Sequence, residues 1–261
     1  MGVMNEPAAP PPRIEGHGTP AADWLSWGGL DELPTTTAAE LVPPGRRAVI
    51  VAPHPDDEVL ACGGLLQQLH AQRTRTVLLA VTNGAASHPG STLLTPTDLA
   101  RLRPRETEAA LAALGLSGTA APQVLRAHLD DGRVQAGLEQ LHNLLLQLLR
   151  PDDVVFVTWR QDGHPDHEAC GLAASLAARA CRATLVEMPV WGWHWAAPGD
   201  GRVPWQRARR LELGADQLQR KRRAVACFQT QLQEDPSTGQ AAVLGPHVLA
   251  RLLRPYEIYF A

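Results

Sequence analysis

The chain has 261 residues, of which 44% are hydrophobic, and its formal net charge is -3 at pH 7. This length and composition allow one substantial apolar core, while the weakly negative charge gives no electrostatic basis for binding nucleic acid. Four single cysteines without a CxxC pair indicate neither a disulfide scaffold nor a structural zinc site, and without a signal-peptide pattern or a membrane span we expect a cytoplasmic protein.

The first 45 residues are predicted to be an N-terminal extension of a single domain over residues 46–261. Prolines recur through residues 1 to about 20, so we expect this Pro-rich part to be a partly disordered, mobile arm. Trp24, Trp27 and Leu30 then predict that the chain docks, either patching the core or covering a subunit interface. The sequence leaves the oligomeric state open, a homo-oligomer included.

Apolar, β-branched runs alternate with helically spaced apolar residues through the rest of the chain. The predicted strands cover residues 47–52, 75–82, 123–129, 154–159, 184–188 and 256–260, and the predicted helices cover residues 57–72, 98–114, 135–149, 167–181 and 216–231. The arginine-rich stretch 207–223 is interpreted as a solvated helix face. This alternation predicts an α/β fold, a Rossmann-like three-layer sandwich with a mostly parallel sheet and helices on both faces.

The first chemical motif is the sequence PHPDDE at residues 53–58. It follows the apolar run 48–52 and precedes a helical pattern, so it occupies a turn between a strand and a helix. Asp57 by itself would be read as a helix cap. His54, three residues earlier, favours a ligand role instead, because one turn can direct both side chains into the same concavity.

The second motif is the sequence HPDH at residues 164–167, and it has the same setting. It follows the predicted strand 154–159 and begins a helix. In open α/β sheets, ligands bind outside the carboxyl ends of the strands, so two such turns on neighbouring strands can form one site. Together the motifs indicate a mononuclear metal hydrolase site.

These two motifs resemble the signatures of the PIG-L or LmbE-like deacetylases, Zn-dependent enzymes that remove N-acetyl groups from amino sugars. The resemblance implies that His54, Asp57 and His167 are metal ligands for Zn²⁺, with Fe²⁺ as the other candidate ion. It implies that Asp56 is the general base. It also implies that His164 stabilises the oxyanion and that Asp166 holds the His164 imidazole.

The chemistry of these residue types agrees with the implied roles. A three-ligand His/Asp site with an open position lowers the pKa of bound water to about 7. Asp56 can accept a proton from that water, provided that burial or its neighbour Asp57 keeps its pKa high. Glu58 is interpreted as an acceptor behind the ligands, for a helix amide or a ligand imidazole.

Four residues are candidates for binding the substrate. Arg103 and Asp131 match family positions near the bound sugar, although a solvated helix turn and an ordinary Asp-Gly turn are competing interpretations. Trp193 and His194 belong to an aromatic cluster at residues 191–195, which forms either a platform for a sugar ring or a packed core face. The expected substrate is a small-molecule or lipid-linked N-acetylated amino sugar.

Other function classes stay open at this point. Two histidines and a carboxylate also ligate iron in non-haem oxygenases, but the α/β pattern and the additional Asp56 favour a hydrolase. A metal-dependent phosphoesterase or a hydrolase of another amide is a closer alternative, although the former usually needs two metals. A non-catalytic sugar-binding protein is disfavoured, because structural zinc sites are normally closed by four protein ligands.

Overall fold

A computed structural model describes residues 14–261 of the chain. Within these residues, eight strands form one sheet in the spatial order β1-β7-β8-β6-β5-β2-β3-β4. The strands are β1 (Thr35–Thr36), β2 (Ala48–Ala52), β3 (Thr76–Thr82), β4 (Gln123–Leu129), β5 (Val154–Thr158), β6 (Thr184–Met188), β7 (Ala208–Glu212) and β8 (Tyr256–Phe260). All neighbouring strands are parallel except β8, which runs antiparallel to both β6 and β7.

Helices cover both faces of this sheet. The α-helices of the described part are α1 (Ala21–Ser26), α2 (Ala38–Leu41), α3 (Asp57–Ala71), α4 (Pro96–Ala113), α5 (Leu138–Leu148), α6 (Pro165–Cys181), α7 (Gly192–Trp195), α8 (Ala215–Val225), α9 (Gln229–Leu232) and α10 (Pro246–Leu252). The predicted α/β architecture with a mostly parallel sheet and helices on both faces is therefore confirmed. No helix within residues 14–261 combines the length and apolar character needed to cross a bilayer.

The apolar core lies in two layers because the central strands are buried on both faces. In β2, Ile50 packs into the layer formed with α3, α4 and α8. Val49 and Val51 point to the opposite face and pack against α5 and α6. Such continuous apolar runs are what parallel strands between two helical layers require. The two layers hold the ends of β2 and β5 in fixed positions.

Helix α3 is kinked at Cys62, whose backbone is non-helical (φ -140°, ψ 24°). The Glu257 carboxylate on β8 accepts hydrogen bonds from the amides of Gly64 at 2.7 Å and Leu65 at 2.9 Å. The buried Lys221 ammonium donates to the same carboxylate at 2.7 Å. A buried ion pair therefore caps the second part of α3, the helix whose first turn carries Asp57.

The N-terminal extension is partly attached to the domain. Residues 1–13 of the predicted mobile arm lie outside the described residues. Residues 14–20 differ from that prediction, because hydrogen bonds tie them to α7 and α10; the Thr19 amide, for example, donates to the His194 carbonyl at 2.8 Å. Trp24 is buried and donates from its indole to the Trp193 carbonyl at 3.0 Å. This part of the extension patches the core, which is one of the two alternatives that the sequence left open.

The arginine-rich stretch contains a strand that the sequence did not predict. Residues 208–212 form β7 instead of a helix face, and they pair with both β1 and β8. Arg210 lies with its guanidinium 4.4 Å from the centre of the Tyr256 ring and donates to Asp31 at 2.6 Å. The interpretation as a solvated helix face was wrong for these residues, because pairing with distant strands outweighs the local charge pattern.

Candidate active site

Two turns between strands and helices form the candidate site. Strands β2 and β5 are parallel neighbours, so their carboxyl ends lie together at one edge of the sheet. The turn at residues 53–56 leads from β2 into α3, and the turn at residues 159–164 leads from β5 into α6. His54 and Asp57 therefore meet His167 at the position where α/β sheets bind ligands.

Three ligand atoms form a nearly equilateral triangle. His54 Nδ1 lies 3.3 Å from Asp57 Oδ2, and His167 Nε2 lies 3.3 Å from each of these two atoms. Ligands held about 2.0–2.1 Å from a tetrahedral zinc ion are about 3.3 Å apart. The three residues thus fit a metal ion with a remaining open position, and they form one group with the spacing of a metal site.

The electrostatics of this triangle favour a cation. Burial alone would raise the pKa of Asp57, but the charges and hydrogen bonds of His167 and His54 outweigh it and hold that pKa well below its usual range. Burial lowers the pKa of His167, yet Asp57 and Asp162 raise it to about 9. The carboxylates around both imidazoles therefore stabilise positive charge at this position.

Two carboxylates orient His54 from the side opposite the triangle. Its Nε2 lies 3.1 Å from Asp131 Oδ1 and 3.2 Å from Asp166 Oδ2. Asp131 also accepts from the Ala86 amide at 2.7 Å, and Asp166 accepts from the Gly132 amide at 2.7 Å. These three side chains form a second group with metal-site spacing. Because Nε2–H donates to the carboxylates, Nδ1 is left with its lone pair for a metal.

Asp162 orients His167 in the same way. Its Oδ2 lies 2.8 Å from His167 Nδ1, and both residues are fully buried. The Asp162 carboxylate also accepts from the amides of Val190, Trp191 and Gly192 at 2.8–2.9 Å. Carboxylates that bond the outer nitrogen of a ligating histidine fix its tautomer and orientation. Sequence reasoning missed Asp162, because it lies in the turn without a characteristic spacing to His167.

Asp56 lies beside the triangle at the start of α3. Its backbone has φ 149° and ψ -29°, a conformation rare for residues with a side chain, and such strain is found mostly at functional positions. Burial raises the pKa of Asp56 to about 7, with Arg103 lowering it and Asp57 raising it further. The Asp56 amide donates to Glu58 Oε2 at 3.1 Å. Glu58 thus supports Asp56 and not a ligand imidazole.

Arg103 lies behind Asp56. Its guanidinium donates to Asp56 Oδ2 at 3.0 Å and to the carbonyls of Pro55 at 2.9 Å and Gly84 at 3.1 Å. Gly84 has φ +68°, and a Cβ there would overlap the Arg103 guanidinium. Glycine is therefore required at this position. The arginine fixes one oxygen of the predicted base.

His164 completes the polar end of the site. Its Nδ1 accepts from the Asp166 amide at 3.2 Å, so a neutral imidazole carries its proton on Nε2. Burial, together with the charges of His167 and His54, lowers the pKa of His164 to about 3. The expectation that the Asp166 carboxylate holds this imidazole was wrong. That carboxylate bonds His54, and only the Asp166 backbone contacts His164.

A cavity of about 350 Å³ opens above these residues. His54, Asp56, Asp57 and His164 line its polar end. The remaining lining residues are Ile14, Leu60, Ala86, Ser87, Arg103, Asp131, Gly132, Val190, Trp191, Gln231, Gln240, Val243, Leu244, Val248 and Leu252. The volume is in the range of small-molecule sites. The metal triangle is thus accessible from a pocket large enough for a small ligand.

Comparison with protein families gives a match over residues 49–178, about half of the chain, to the PIG-L family, described as GlcNAc-PI de-N-acetylase. The chain belongs to the PIG-L family. The matched residues contain both motifs and all three corners of the metal triangle, so the predicted resemblance is confirmed. Membership of this family supports a deacetylase. No curated protein matches the sequence.

Solved structures confirm the PIG-L fold. The zinc-inhibited form of teicoplanin deacetylase is 19% identical with a TM-score of 0.54, covering 82% of this chain and 97% of that one. The A40926 pseudoaglycone deacetylase is 22% identical with a TM-score of 0.55, covering 82% and 96%. A conserved protein from Thermus thermophilus is 24% identical with a TM-score of 0.50, covering 74% and 83%. At these identities the likeness concerns the fold alone.

The aromatic candidates lie elsewhere in this PIG-L protein. Trp193 packs against Trp24 at 5.0 Å between ring centres, and Arg254 lies 4.1 Å from its ring centre. His194 bonds the Glu15 carbonyl through Nε2 at 3.0 Å. Neither is among the described residues lining the cavity, so the structure gives no support to the expected substrate contact of either residue. The segment forms the short helix α7, which turns these two side chains into the protein.

The other substrate candidates do line the cavity. Arg103 and Asp131 are both at its wall, although each already bonds a residue of the site. Their contact with substrate stays a prediction. Trp191 lines the cavity where Trp193 does not, and sequence reasoning did not separate them. The alternating tryptophans indicated that an aromatic side chain lies at the cavity, but the helical turn of α7 decides which tryptophan faces it.

Proposed function

We propose that this protein is a metal-dependent hydrolase that removes an N-acetyl group from an amino sugar or glycoconjugate and releases acetate. One observation carries the proposal. The triangle of His54 Nδ1, Asp57 Oδ2 and His167 Nε2 lies next to Asp56 and opens into a cavity. Such a three-ligand site with an adjacent carboxylate is typical of metal hydrolases.

His54, Asp57 and His167 would hold the metal. A set of two imidazoles and one carboxylate suits Zn²⁺ and also Fe²⁺, and we propose Zn²⁺ as the resident ion with Fe²⁺ as the alternative. When bound, the ion supplies Lewis acidity, which acidifies a water molecule and polarises the amide carbonyl. Asp131, Asp166 and Asp162 keep the two imidazoles in the orientation that this binding needs.

Asp56 takes the role of general base in this proposal. Its Oδ2 accepts from Arg103 at 3.0 Å, which leaves Oδ1 for the attacking water. The proton that Asp56 removes from water can then be given to the leaving nitrogen, so that the amine departs as a neutral group. General acid–base catalysis of this kind contributes about 10²–10⁴-fold to a rate.

His164 is proposed to stabilise the oxyanion. Because Nδ1 accepts the Asp166 amide, the Nε2–H group is the donor available to the cavity. A donor directed at the tetrahedral oxyanion strengthens as negative charge develops there. The neutral imidazole would act as a donor while leaving the positive charge to the metal.

Polar side chains farther along the cavity suit a sugar. Ser87, Gln231, Gln240 and Asp131 line it and offer donors and acceptors for hydroxyl groups. We therefore propose a small-molecule or lipid-linked N-acetylated amino sugar as the substrate. We place this enzyme in the cytoplasm.

The test is acetate release from a panel of N-acetylglucosamine conjugates. Metal-stripped protein would be reconstituted with Zn²⁺ or Fe²⁺ and compared with Asp56→Asn. We expect release that requires metal and falls about 10²–10⁴-fold in Asp56→Asn. The matched control is Asp152→Asn, which should keep full activity, because Asp152 is exposed and lies in the turn before β5, at the end of that strand away from the site.

The same preparations would be tested for phosphate release from p-nitrophenyl phosphate. Acetate release that is independent of metal, or undiminished in Asp56→Asn, would refute the proposal. Metal-dependent phosphate release without acetate release would favour the phosphoesterase alternative.

A further inference from the structure

Most apolar residues that line the cavity come from a different part of the chain than the residues of the metal site. The metal triangle, Asp56 and His164 all lie within the family-matched residues 49–178. Six apolar lining residues outside that match are here called the apolar half, namely Ile14, Val190, Trp191, Leu244, Val248 and Leu252. Val243 also lies outside the match, whereas the apolar lining residues Leu60 and Ala86 lie within it. Four of these six side chains are largely buried in the protein although they border the cavity. Residues outside the family match therefore supply most of the apolar lining.

Ile14 reaches the cavity because the following residues are clamped to the domain. Arg251 on α10 donates from Nη1 to the carbonyls of His17 at 2.7 Å and Thr19 at 3.0 Å. Its Nη2 lies 2.9 Å from His194 Nδ1, and His194 Nε2 bonds the Glu15 carbonyl. These hydrogen bonds of Arg251 and His194 to residues 15, 17 and 19 are here called the clamp. It uses the buried Arg251 guanidinium and both ring nitrogens of the buried His194.

The clamped segment approaches His194 so closely that only glycine fits at one position. Gly18 has φ +63°, and a Cβ there would lie 2.6 Å from His194 Cγ and from the His194 carbonyl oxygen. An L-residue would be strained by the backbone conformation and would also collide with α7. The docking of residues 14–20 is therefore a fixed feature of this chain, and Gly18 is a position at which it can be released.

Helix α10 connects the clamp to the apolar half. Val248 and Leu252 are one helical turn apart and both line the cavity, while Arg251 between them bonds residues 17 and 19. Side chains at i and i+4 share a helix face, so this short helix presents an apolar face to the cavity. The same helix therefore holds the N-terminal segment and forms the wall beside it.

We propose that residues 14–20 and α10 form an apolar subsite that binds an alkyl chain of the substrate. The inference rests on the proposed amide hydrolase function and specifies its substrate class. Five of the six side chains named above are aliphatic, and the cavity of about 350 Å³ accommodates a sugar ring with a chain of limited length. Each methylene group buried there should increase affinity about fourfold.

The alkyl chain has two chemical sources, namely the acyl group of the amide or the aglycone of the sugar. Binding to the full-length, Zn-loaded Asp56→Asn protein would be measured by calorimetry, so that no turnover is required. The probes are methyl N-acetylglucosaminide, its octyl glycoside, and methyl N-octanoylglucosaminide. We expect one of the two octyl-bearing probes to bind at least about tenfold more tightly than the methyl reference.

Variants then test which residues produce the tighter binding of the alkyl probe. Ile14→Asn, Val248→Asn and Gly18→Ala should each abolish most of the preference for the alkyl probe over the methyl reference, measured as the ratio of the two affinities in the same variant. Gly201→Ala is the matched control, because a Cβ at Gly201 meets no atom within 4 Å. Thermal unfolding would verify that each variant is folded, and Ile14, being only half-buried, is the substitution least able to unfold the protein.

Equal binding of all three probes would overturn the proposal, as would a preference that survives Ile14→Asn and Gly18→Ala. Failure of the proposed function has a different signature. In that case the alkyl preference and its loss in the variants would persist, while the wild-type protein would release no acetate from any N-acetyl sugar.

Discussion

The family-matched and unmatched parts of the chain contribute to the cavity in different ways. In the matched part, two short turns at adjacent strand ends supply His54, Asp56, Asp57, His164 and His167. In the unmatched part, Ile14 and Val248 are more than two hundred residues apart in sequence, yet both line the cavity, where hydrogen bonds from α10 hold the segment that follows Ile14. The geometry proposed for catalysis is local to two turns, whereas the proposed recognition surface depends on packing between distant segments.

The separation between these parts is incomplete, because the unmatched part also supports the matched one. Glu257 on β8 caps the second part of α3, and Lys221 on α8 neutralises it. The first turn of that same helix carries Asp57. The following predictions test whether residues that stabilise α3 and residues of the metal site can be changed with separate effects on stability, turnover and metal affinity.

Lys221→Met should have the largest effect of the three variants, and this effect should be a loss of stability. It leaves the buried Glu257 carboxylate without its counter-charge, which should lower the free energy of unfolding by about 3–5 kcal/mol. Urea unfolding would measure the change, with the exposed Arg222→Met as control. The double variant Lys221→Met/Glu257→Gln should recover part of the loss. An unchanged unfolding midpoint in Lys221→Met would show that the ion pair does not support α3.

His164→Ala should have the second largest effect, and it should change turnover but not metal content. Loss of one oxyanion donor typically lowers kcat about 10²–10³-fold, or about 2.7–4 kcal/mol. Metal content should remain at the wild-type level, because His164 is not a corner of the triangle. Steady-state kinetics with metal analysis would check both, with His142→Ala on α5 as control. Loss of metal in His164→Ala would instead make this residue a ligand.

Asp162→Asn should have a smaller effect, on metal affinity. The Asp162 carboxylate accepts hydrogen bonds from His167 and from three backbone amides. In Asp162→Asn, one of the two side-chain atoms becomes an NH₂ donor, so it can no longer accept the hydrogen bonds made to that atom. Changes to such outer partners typically weaken metal binding about 10–100-fold. Competition with a chelator would measure this, and the exposed Asp130→Asn is the control. Equal affinities in the two variants would remove Asp162 from the account of the site.

Much of the fold and of the polar site could be predicted from the sequence because the relevant patterns are local. The apolar runs 48–52 and 154–158 are buried on both faces. The PHPDDE motif directly follows the first run, and HPDH follows the second after the turn at residues 159–163. Strand adjacency then brings His54 and His167 together without any further information. The same locality explains the failure at 208–212, where an arginine-rich segment pairs with β8 from the far end of the chain.

The remaining features depend on contacts that no local pattern encodes. Asp162 can be recognised only from its position against His167. Trp193 and His194 point inward because α7 is a single helical turn, whereas Trp191 lines the cavity. Aromatic composition alone does not distinguish these residues. Ile14 lies in a segment predicted to be mobile, and hydrogen bonds with Arg251, His194 and Ala196 fix that segment at the cavity.

The metal content of two variants tests the central claim most directly. His167→Ala and Asp56→Asn would be purified in parallel, incubated with Zn²⁺, dialysed and analysed for bound metal per chain. The account predicts that Asp56→Asn retains the wild-type amount while losing turnover, and that His167→Ala loses the metal. Full metal occupancy in His167→Ala, or metal-free Asp56→Asn protein, would contradict the assignment of ligands and base.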